Sequence, residues 1–400
     1  MLLNNIIRNP FKALSYMERL VNNGSKSPFT FVNTVSHNTN PIYVEKFCLD
    51  EGTNYNSNII TLGKIPEEVL KLKDSNSVFL HPDWRLSDKK ILIRKSNAIV
   101  EPTASQRTVK AESVPYYIKL AHPFILGRIT RELESKHILS SIDITNILFN
   151  TYLNAPHKFA FLPEMGGQIL KTEECEIGYV VRSATPIGRN ANQIKYLIPG
   201  FSLFGKDIKS ENDEILIHQI LCNKQDKKEY IINEIILPLI DCYFFYVFSE
   251  GLQFELHSQN FLIGFNDNFD VVSFVIRDLE SADKDITIRS TLGKNTNLLS
   301  SPYKCISSDQ YNYKIKHSFM YDHKLCEYFV DQLILAVSND LRLSVNDIRN
   351  EVKYNVLLKY GEKLKNFFPD DNCWYKFEDK IIDRTKIERP YQAIPNPFFR

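Results

Sequence analysis

Two stretches of this chain bring together residue types that handle polyphosphates and hard cations. The first is Pro102-Thr-Ala-Ser105-Gln-Arg107-Thr108, followed by Lys119 and Arg131. A guanidinium offers a planar fork for bidentate contact with phosphate, and small hydroxyls satisfy single oxygens. Alternation at a strand end places Ser105 and Arg107 on one face, with Lys119 and Arg131 added from a following helix. The same residues also fit a solvated basic face, because Ser, Arg and Thr are common in loops.

The second stretch is Glu255-Leu-His257-Ser-Gln259-Asn260, followed by Arg277-Asp278-Leu-Glu280. If 252–260 is a strand, Glu255, His257 and Gln259 share one face. An Asn, then an Asp at the end of a following strand, supplies one neutral and one anionic oxygen, a donor pair suited to Mg2+. Protein kinases use a comparable Asn and Asp. The plainer alternative makes His257 a satisfied core histidine and 277–280 a surface turn. Glu164 and Arg182 sit near strand ends and either line a cleft or pair with each other. His81-Pro82-Asp83-Trp84 marks a turn with an anchored aromatic. The sequence holds no GxxxxGK[ST] and no GxGxxG, so the common phosphate loops are absent. No Ser-His-Asp or Cys-His arrangement stands out.

The elements that must position these residues are of mixed type. SVFLHPDW, KKILIRKS and NAIVEPTAS read as short strands bounded by turn formers, as do FAFLPEM, EIGYVVRS and KYLIPGFSLFG. Residues 117–139 look helical, 229–248 read as one long helix, and LQFELHSQNFLIGF with FDVVSFVIRDLE reads as a strand pair. Residues 323–368 are mostly helical. The fold class is therefore α+β, with a β-rich centre and a mainly helical C-terminal part carrying a small sheet.

Composition narrows the function classes. The 400 residues are 43% hydrophobic and 24% charged, with a formal net charge of +1. That balance provides no global field for nucleic acid or an anionic membrane, and no basic and aromatic interleaving points to nucleic acid. The apolar run 230–248 contains Asn233, Glu234, Pro238 and Asp241 and reads as a buried helix. The seven cysteines form no CxxC pair, so neither structural zinc nor a disulfide framework is expected. A cytoplasmic location follows as the expectation.

Taken in order, HPDW at 81–84, EPTASQRTVKA at 101–111, YIKL at 117–120, Arg131, VVRS at 180–183, EGLQFELHSQN at 250–260, RDLE at 277–280 and IPNPF at 394–398 resemble the motifs of the siderophore synthetases that work without a nonribosomal peptide template, of the aerobactin-synthetase type. The resemblance covers roughly residues 75–400. It departs from the family pattern in three places. The G-H-P-x-H-P-x-x-K stretch of a longer N-terminal region is missing, so that region is expected to be shortened. Gly127 stands where the family has Thr, and R-D-L-E-S replaces R-D-x-E-G.

The resemblance implies a hand-like fold, with a reduced thumb-like segment at 1–72, fingers at 73–228 and a palm at 229–400. Ser105, Arg107, Thr108 and Lys119 would contact ATP phosphates, with Gln259 lining the same pocket. Asn260 and Asp278 would hold Mg2+, helped by Glu255 or Glu280. Arg131 and His257 would grip a carboxylate substrate, commonly citrate or a derivative, with His257 as either carboxylate ligand or base.

The implied reaction is adenylation of the acid and condensation with an amine or alcohol, with small molecules as partners and a homodimer as the assembly. Two rival expectations stand beside it: a catalytically impaired homologue that binds nucleotide or precursor as a partner subunit, and a kinase-like phosphotransferase.

Overall fold

The computed structural model describes residues 2–21, 46–53, 58–105, 107–126, 129–130, 133–207, 209–210, 213–296, 304–370, 373–377, 380–381, 387–388 and 391–396. Helices α1 (Leu2–Arg8) and α2 (Pro10–Leu20) open the chain. Six strands follow: β1 (Phe47–Thr53), β2 (Asn58–Gly63), β3 (Val78–Leu80), β4 (Leu92–Pro102), β5 (Thr108–Ala111) and β6 (Tyr116–Leu120). A two-strand ribbon, β7 (Ile125–Leu126) and β8 (Ile129–Thr130), leads to the helix Ser135–Thr151. Then come β9 (Phe159–Phe161), β10 (Glu164–Lys171), β11 (Glu176–Ser183), β12 (Ile187–Gly188) and β13 (Tyr196–Pro199). The long helix Lys227–Glu250 precedes β14 (Leu252–Gln253), β15 (Phe261–Phe265), β16 (Val271–Ile276), β17 (Asp283–Asp285) and β18 (Cys305–Ile306). Helical segments fill most of 313–367.

Two sheets frame the molecule. The larger is an eight-stranded antiparallel sheet in the order β2-β10-β11-β6-β5-β4-β1-β3. The smaller has the order β12-β9-β16-β15-β13 and contains one parallel pair, β9 with β16. Alternation lets each small-sheet strand serve two layers. Phe159, Phe161, Phe261, Ile263, Phe274 and Ile276 enter the core shared with the helices. Ala160, Leu262 and Val275 pack with Tyr117 of the large sheet. Tyr117 thus ties the two sheets together.

The mixed α+β expectation, with a β-rich part and a helical part carrying a small sheet, matches this architecture. The expected boundaries at 72 and 228 do not follow the sheets, since β1 and β2 belong to the large sheet and β9, β12 and β13 to the small one. The runs KKILIRKS and NAIVEPTAS join into the single strand β4, with a register shift against β1 between Lys95 and Ile99, where Ala98 N donates to Ser96 Oγ at 3.1 Å.

The helical reading of 117–139 is corrected. Tyr116–Leu120 is the strand β6, paired on both sides, and the helix begins only at Ser135. Pro115 and Pro123 flank the strand, and proline is incompatible with a helix interior. Lys119 therefore comes from a strand.

The long helix extends over Lys227–Glu250 and is apolar and long enough to cross a membrane, yet Tyr243, Phe244, Tyr246 and Val247 are fully buried inside the protein. A π-helical stretch, Tyr230–Ile236, precedes Pro238 and rearranges the backbone hydrogen bonds there. Gly251 ends the helix at φ 62° and ψ 38°, the left-handed conformation that glycine adopts without strain. That stop directs the chain into 252–260.

Candidate nucleotide and carboxylate site

Strand register gathers one set of polar side chains. Thr108 lies opposite Lys119, Tyr117 opposite Arg182, and Arg182 opposite Glu164. Opposite partners in antiparallel strands project to the same face, as do residues two apart in one strand. Thr108, Tyr117, Lys119, Arg182 and Glu164 therefore share a face. Their neighbours Val109, Ile118, Leu120, Tyr179 and Val181 fill the core behind it.

The facing set comes from the end of the β15–β16 hairpin. Phe261 pairs with Ile276, and Arg277 N donates to Asn260 O at 2.9 Å, so Asn260 and Asp278 leave the hairpin side by side. Asp278 has φ 66° and ψ 52°, a left-handed conformation that Asp and Asn tolerate better than most residues. A single 3-10 turn, Leu279–Ser281, follows and is anchored by fully buried Leu279. This reversal brings Asp278 and Glu280 to the same lysine.

The two sets meet. Lys119 Nζ donates to Glu280 Oε2 at 2.7 Å and also to Asp278 Oδ1. Arg182 donates to Asp278 Oδ1 at 2.9 Å and to Glu164 Oε1 at 2.8 Å, so Glu164 and Arg182 both pair with each other and line the site. Arg107 Nη2 lies 3.7 Å from Glu280 Oε2. Burial would raise both carboxyls, but Lys119 and Arg182 with Arg107 hold Asp278 well below the usual range. Burial likewise opposes Lys119, Arg107 and His137 at Glu280, which stays ionised down to about 2. The sequence-distant segments 107–119 and 277–280 thus form one buried ionic cluster.

The remaining expected residues are arranged around it. Asn260 Nδ2 reaches Ser281 Oγ at 3.4 Å. Ser105 N donates to Thr103 Oγ1 at 3.1 Å, and Thr103 Oγ1 donates to Thr108 O at 2.8 Å, closing the β4–β5 connection that carries Arg107. Ser105 and Arg107 belong to this turn, not to a strand end. The strand reading of 252–260 is also corrected: β14 stops at Gln253, and Asn260 N closes a turn onto His257 O at 2.8 Å.

Alternation persists locally without pairing, so buried Phe254 and Leu256 leave Glu255 and His257 on the opposite, half-buried side. Glu255 Oε1 pairs with Lys324 Nζ at 2.8 Å. Burial opposes Lys324, Lys304 and His257 at Glu255, and the net position is about 2. His257 is pushed down to about 4, chiefly by burial, with Glu255 pulling the other way. His257 Nδ1 accepts from Gln259 N at 3.3 Å, and Gln259 O accepts from Arg277 Nε at 2.8 Å. Arg131 lies outside the described residues.

Sequence reasoning missed several contributors. Glu18 of α2 accepts from Ala104 N at 2.8 Å and pairs with Arg277 Nη1, tying the first helices to both halves of the site. His137 approaches Glu280 electrostatically, and Lys324 holds Glu255. Nothing local in the sequence marks Glu18. For His137 the only signal is its place in a helix first turn, where its ring accepts from Glu134 N at 3.0 Å.

The donor set fits a hard divalent cation. Asp278 and Glu280 are ionised at neutral pH, and the Asn260 amide adds a neutral oxygen, the hard ligands that Mg2+ takes. The cations Arg107, Lys119 and Arg182 fit a polyphosphate and a carboxylate.

No protein-family model and no curated protein matches the chain. Solved structures do match. One is the ATP-bound aerobactin synthetase IucA from a hypervirulent pathotype of Klebsiella pneumoniae, with a TM-score of 0.69 and 14% identity over 99% of this chain and 80% of that one. Another is the petrobactin biosynthesis protein AsbB from Bacillus anthracis, with a TM-score of 0.67 and 16% identity over 88% of this chain and 68% of that one. The aerobactin synthetase IucC from the same Klebsiella pathotype gives a TM-score of 0.62 at 11% identity, over 88% and 70%.

Proposed function

We propose that this chain, which has the fold of the template-independent siderophore synthetases, is an ATP-dependent ligase that adenylates a carboxylic acid, citrate or a related one, and condenses it with an amine or alcohol. The observation that carries this reading is the convergence of Arg107 and Lys119 with Asp278 and Glu280 in one buried cluster.

Carboxylates do not acylate amines readily in water, so the chemical task is to turn a carboxylate oxygen into a leaving group. In the first step that oxygen attacks the α-phosphorus of ATP. The bond from this phosphorus to the bridging oxygen breaks, and pyrophosphate leaves. Arg107 and Lys119 neutralise charge that builds on the phosphates, and Ser105, Thr108 and Gln259 orient them. Mg2+ held by Asp278, Asn260 and Glu280 adds charge neutralisation when bound. In the second step the nucleophile attacks the acyl carbon, AMP departs and the nucleophile loses a proton. His257, largely neutral at pH 7, takes that proton, and Arg131 holds the second carboxylate. The reading includes a homodimer in the cytoplasm.

Product analysis tests it. Protein incubated with ATP, Mg2+, citrate and hydroxylamine should give AMP, pyrophosphate and a hydroxamate. Formation of ADP would replace the ligase with a phosphotransferase. Nucleotide binding with no turnover across citrate, succinate and 2-oxoglutarate would leave a binding subunit.

A further inference from the structure

A second buried cluster lies at the end of β6, three residues beyond Lys119. His81 and Asp83 flank the start of the turn Pro82–Leu86, and His122 follows β6. Trp84 Nε1 donates to Ala121 O at 3.1 Å and holds the two segments together. His81, Asp83 and His122 are 1%, 0% and 3% exposed. The two imidazoles meet edge to face with centroids 4.5 Å apart. Asp83 Oδ2 stands 3.0 Å from His122 Nε2 and 3.7 Å from His81 Nδ1. One donor atom from each residue lies within 4.8 Å of the other two.

Two features make this more than a hydrogen-bonded turn. Asp83 Oδ1 is buried and accepts no hydrogen bond, and among the described residues no lysine or arginine pairs with Asp83. A carboxylate so removed from water needs a cation. His122 Nδ1 also lies 3.0 Å from Phe124 O. Phe124 N lies 3.2 Å from the same Nδ1, so one tautomer accepts there and donates Nε2–H to Asp83, while the other donates Nδ1–H to Phe124 O and turns an unprotonated Nε2 toward Asp83. In the second tautomer, a lone pair facing a carboxylate oxygen at that distance is satisfied by a cation between them. A ring N–H donated to a backbone carbonyl is also the usual support for a metal-ligating histidine.

We propose that His81, Asp83 and His122 bind one divalent transition metal of the zinc class, which pins the turn Pro82–Leu86 to the end of the strand that carries Lys119. Two imidazoles and one carboxylate favour such a metal over Mg2+ or Ca2+. The site takes no part in the ligation steps above, and its test is independent of them.

The experiment uses the full chain without a polyhistidine tag. Metal analysis after dialysis, and titration of the metal-free protein with Zn2+ and Co2+, should give about one metal per chain. The Co2+ form should show the visible absorption of a four- or five-coordinate ion. Asp83→Asn and His122→Gln should each weaken Co2+ binding by more than about tenfold, the loss that even a supporting residue causes, whereas Asp278→Asn should leave it unchanged. Wild-type protein that neither contains nor takes up a stoichiometric metal would overturn the proposal. So would Co2+ binding that survives both Asp83→Asn and His122→Gln, or binding that Asp278→Asn abolishes.

Discussion

Lys119 and Glu280 are 161 residues apart in sequence, and their side chains meet at 2.7 Å in the interior. One stands mid-row on a strand of the large sheet, and the other on the turn that ends a hairpin of the small sheet. Their pairing depends on the packing of the two sheets, so it responds both to the loss of a charge and to the loss of the interface.

Lys119→Met and Arg107→Ala should therefore separate. Removing Lys119 leaves Asp278 and Glu280 buried beside each other, and breaking a buried pair in this way costs about 3–5 kcal/mol. A marked fall in melting temperature is expected along with loss of pyrophosphate release. Arg107 stands 3.7 Å from Glu280, which keeps Lys119 at 2.7 Å when Arg107 is removed, so Arg107→Ala should cost less stability than Lys119→Met. Loss of a charge-assisted contact worth about 1.5–3 kcal/mol should slow adenylation roughly 10- to 150-fold. Single-turnover pyrophosphate release and thermal melts read both, and an Arg107→Ala enzyme with wild-type turnover would remove this residue from the reaction.

Asp278 offers a cleaner test, because its backbone conformation restricts the choice of substitution. At φ 66° an Asn is nearly as acceptable as Asp, whereas Ala adds strain of about 1 kcal/mol. Asp278→Asn should retain the folded structure and lose Mg2+-dependent activity. Asp278→Ala should lose both activity and stability. Circular dichroism melts beside AMP formation distinguish these outcomes, and full activity in Asp278→Asn would take the carboxylate out of cation binding.

Glu18 predicts an effect at a distance. Its carboxylate accepts from Ala104 N on the Arg107 turn and pairs with Arg277 beside Asp278. Glu18→Ala should leave Arg277 buried without its partner and destabilise the chain by about 3 kcal/mol. Glu18→Gln can still accept the amide hydrogen bond, so it should keep more of the stability while raising KM for ATP. A Glu18→Gln enzyme with unchanged KM and kcat would limit this residue to a structural role.

Legibility in the sequence followed the range of the interactions involved. Strand pairs such as β15 with β16 were readable because alternating apolar runs and turn formers are local signals. The placement of Asn260 and Asp278 together at one end of that hairpin was readable because they closely follow or precede its strands. The character of 116–120 was misread because Tyr-Tyr-Ile-Lys-Leu alone is too short a pattern to separate strand from helix, and the one local signal against a helix, Pro123, lies outside that run. The pairing of Glu255 with Lys324, and the reach of Glu18 into the site, depend on tertiary packing alone. No spacing within a segment encodes them.

The pH response of His257 follows from its surroundings. Burial lowers this imidazole from its ordinary 6.5 to about 4, against the pull of Glu255. Below pH 6.5 the unfolded chain takes up a proton there and the folded chain does not until about 4. The stability contributed by the neutral ring is therefore present above 6.5 and lost progressively as pH falls through that window. Catalysis shifts in the same direction. A neutral His257 acting as base predicts kcat/KM that holds constant from about pH 8 to about pH 5, with an acidic limb near the depressed value. His257→Gln should lower the rate and erase that limb. A limb that instead lies near the ordinary histidine value, or activity that rises on acidification, would assign His257 the charged role of gripping the substrate carboxylate. Rate profiles of both proteins, corrected by melts at each pH, decide between base and ligand.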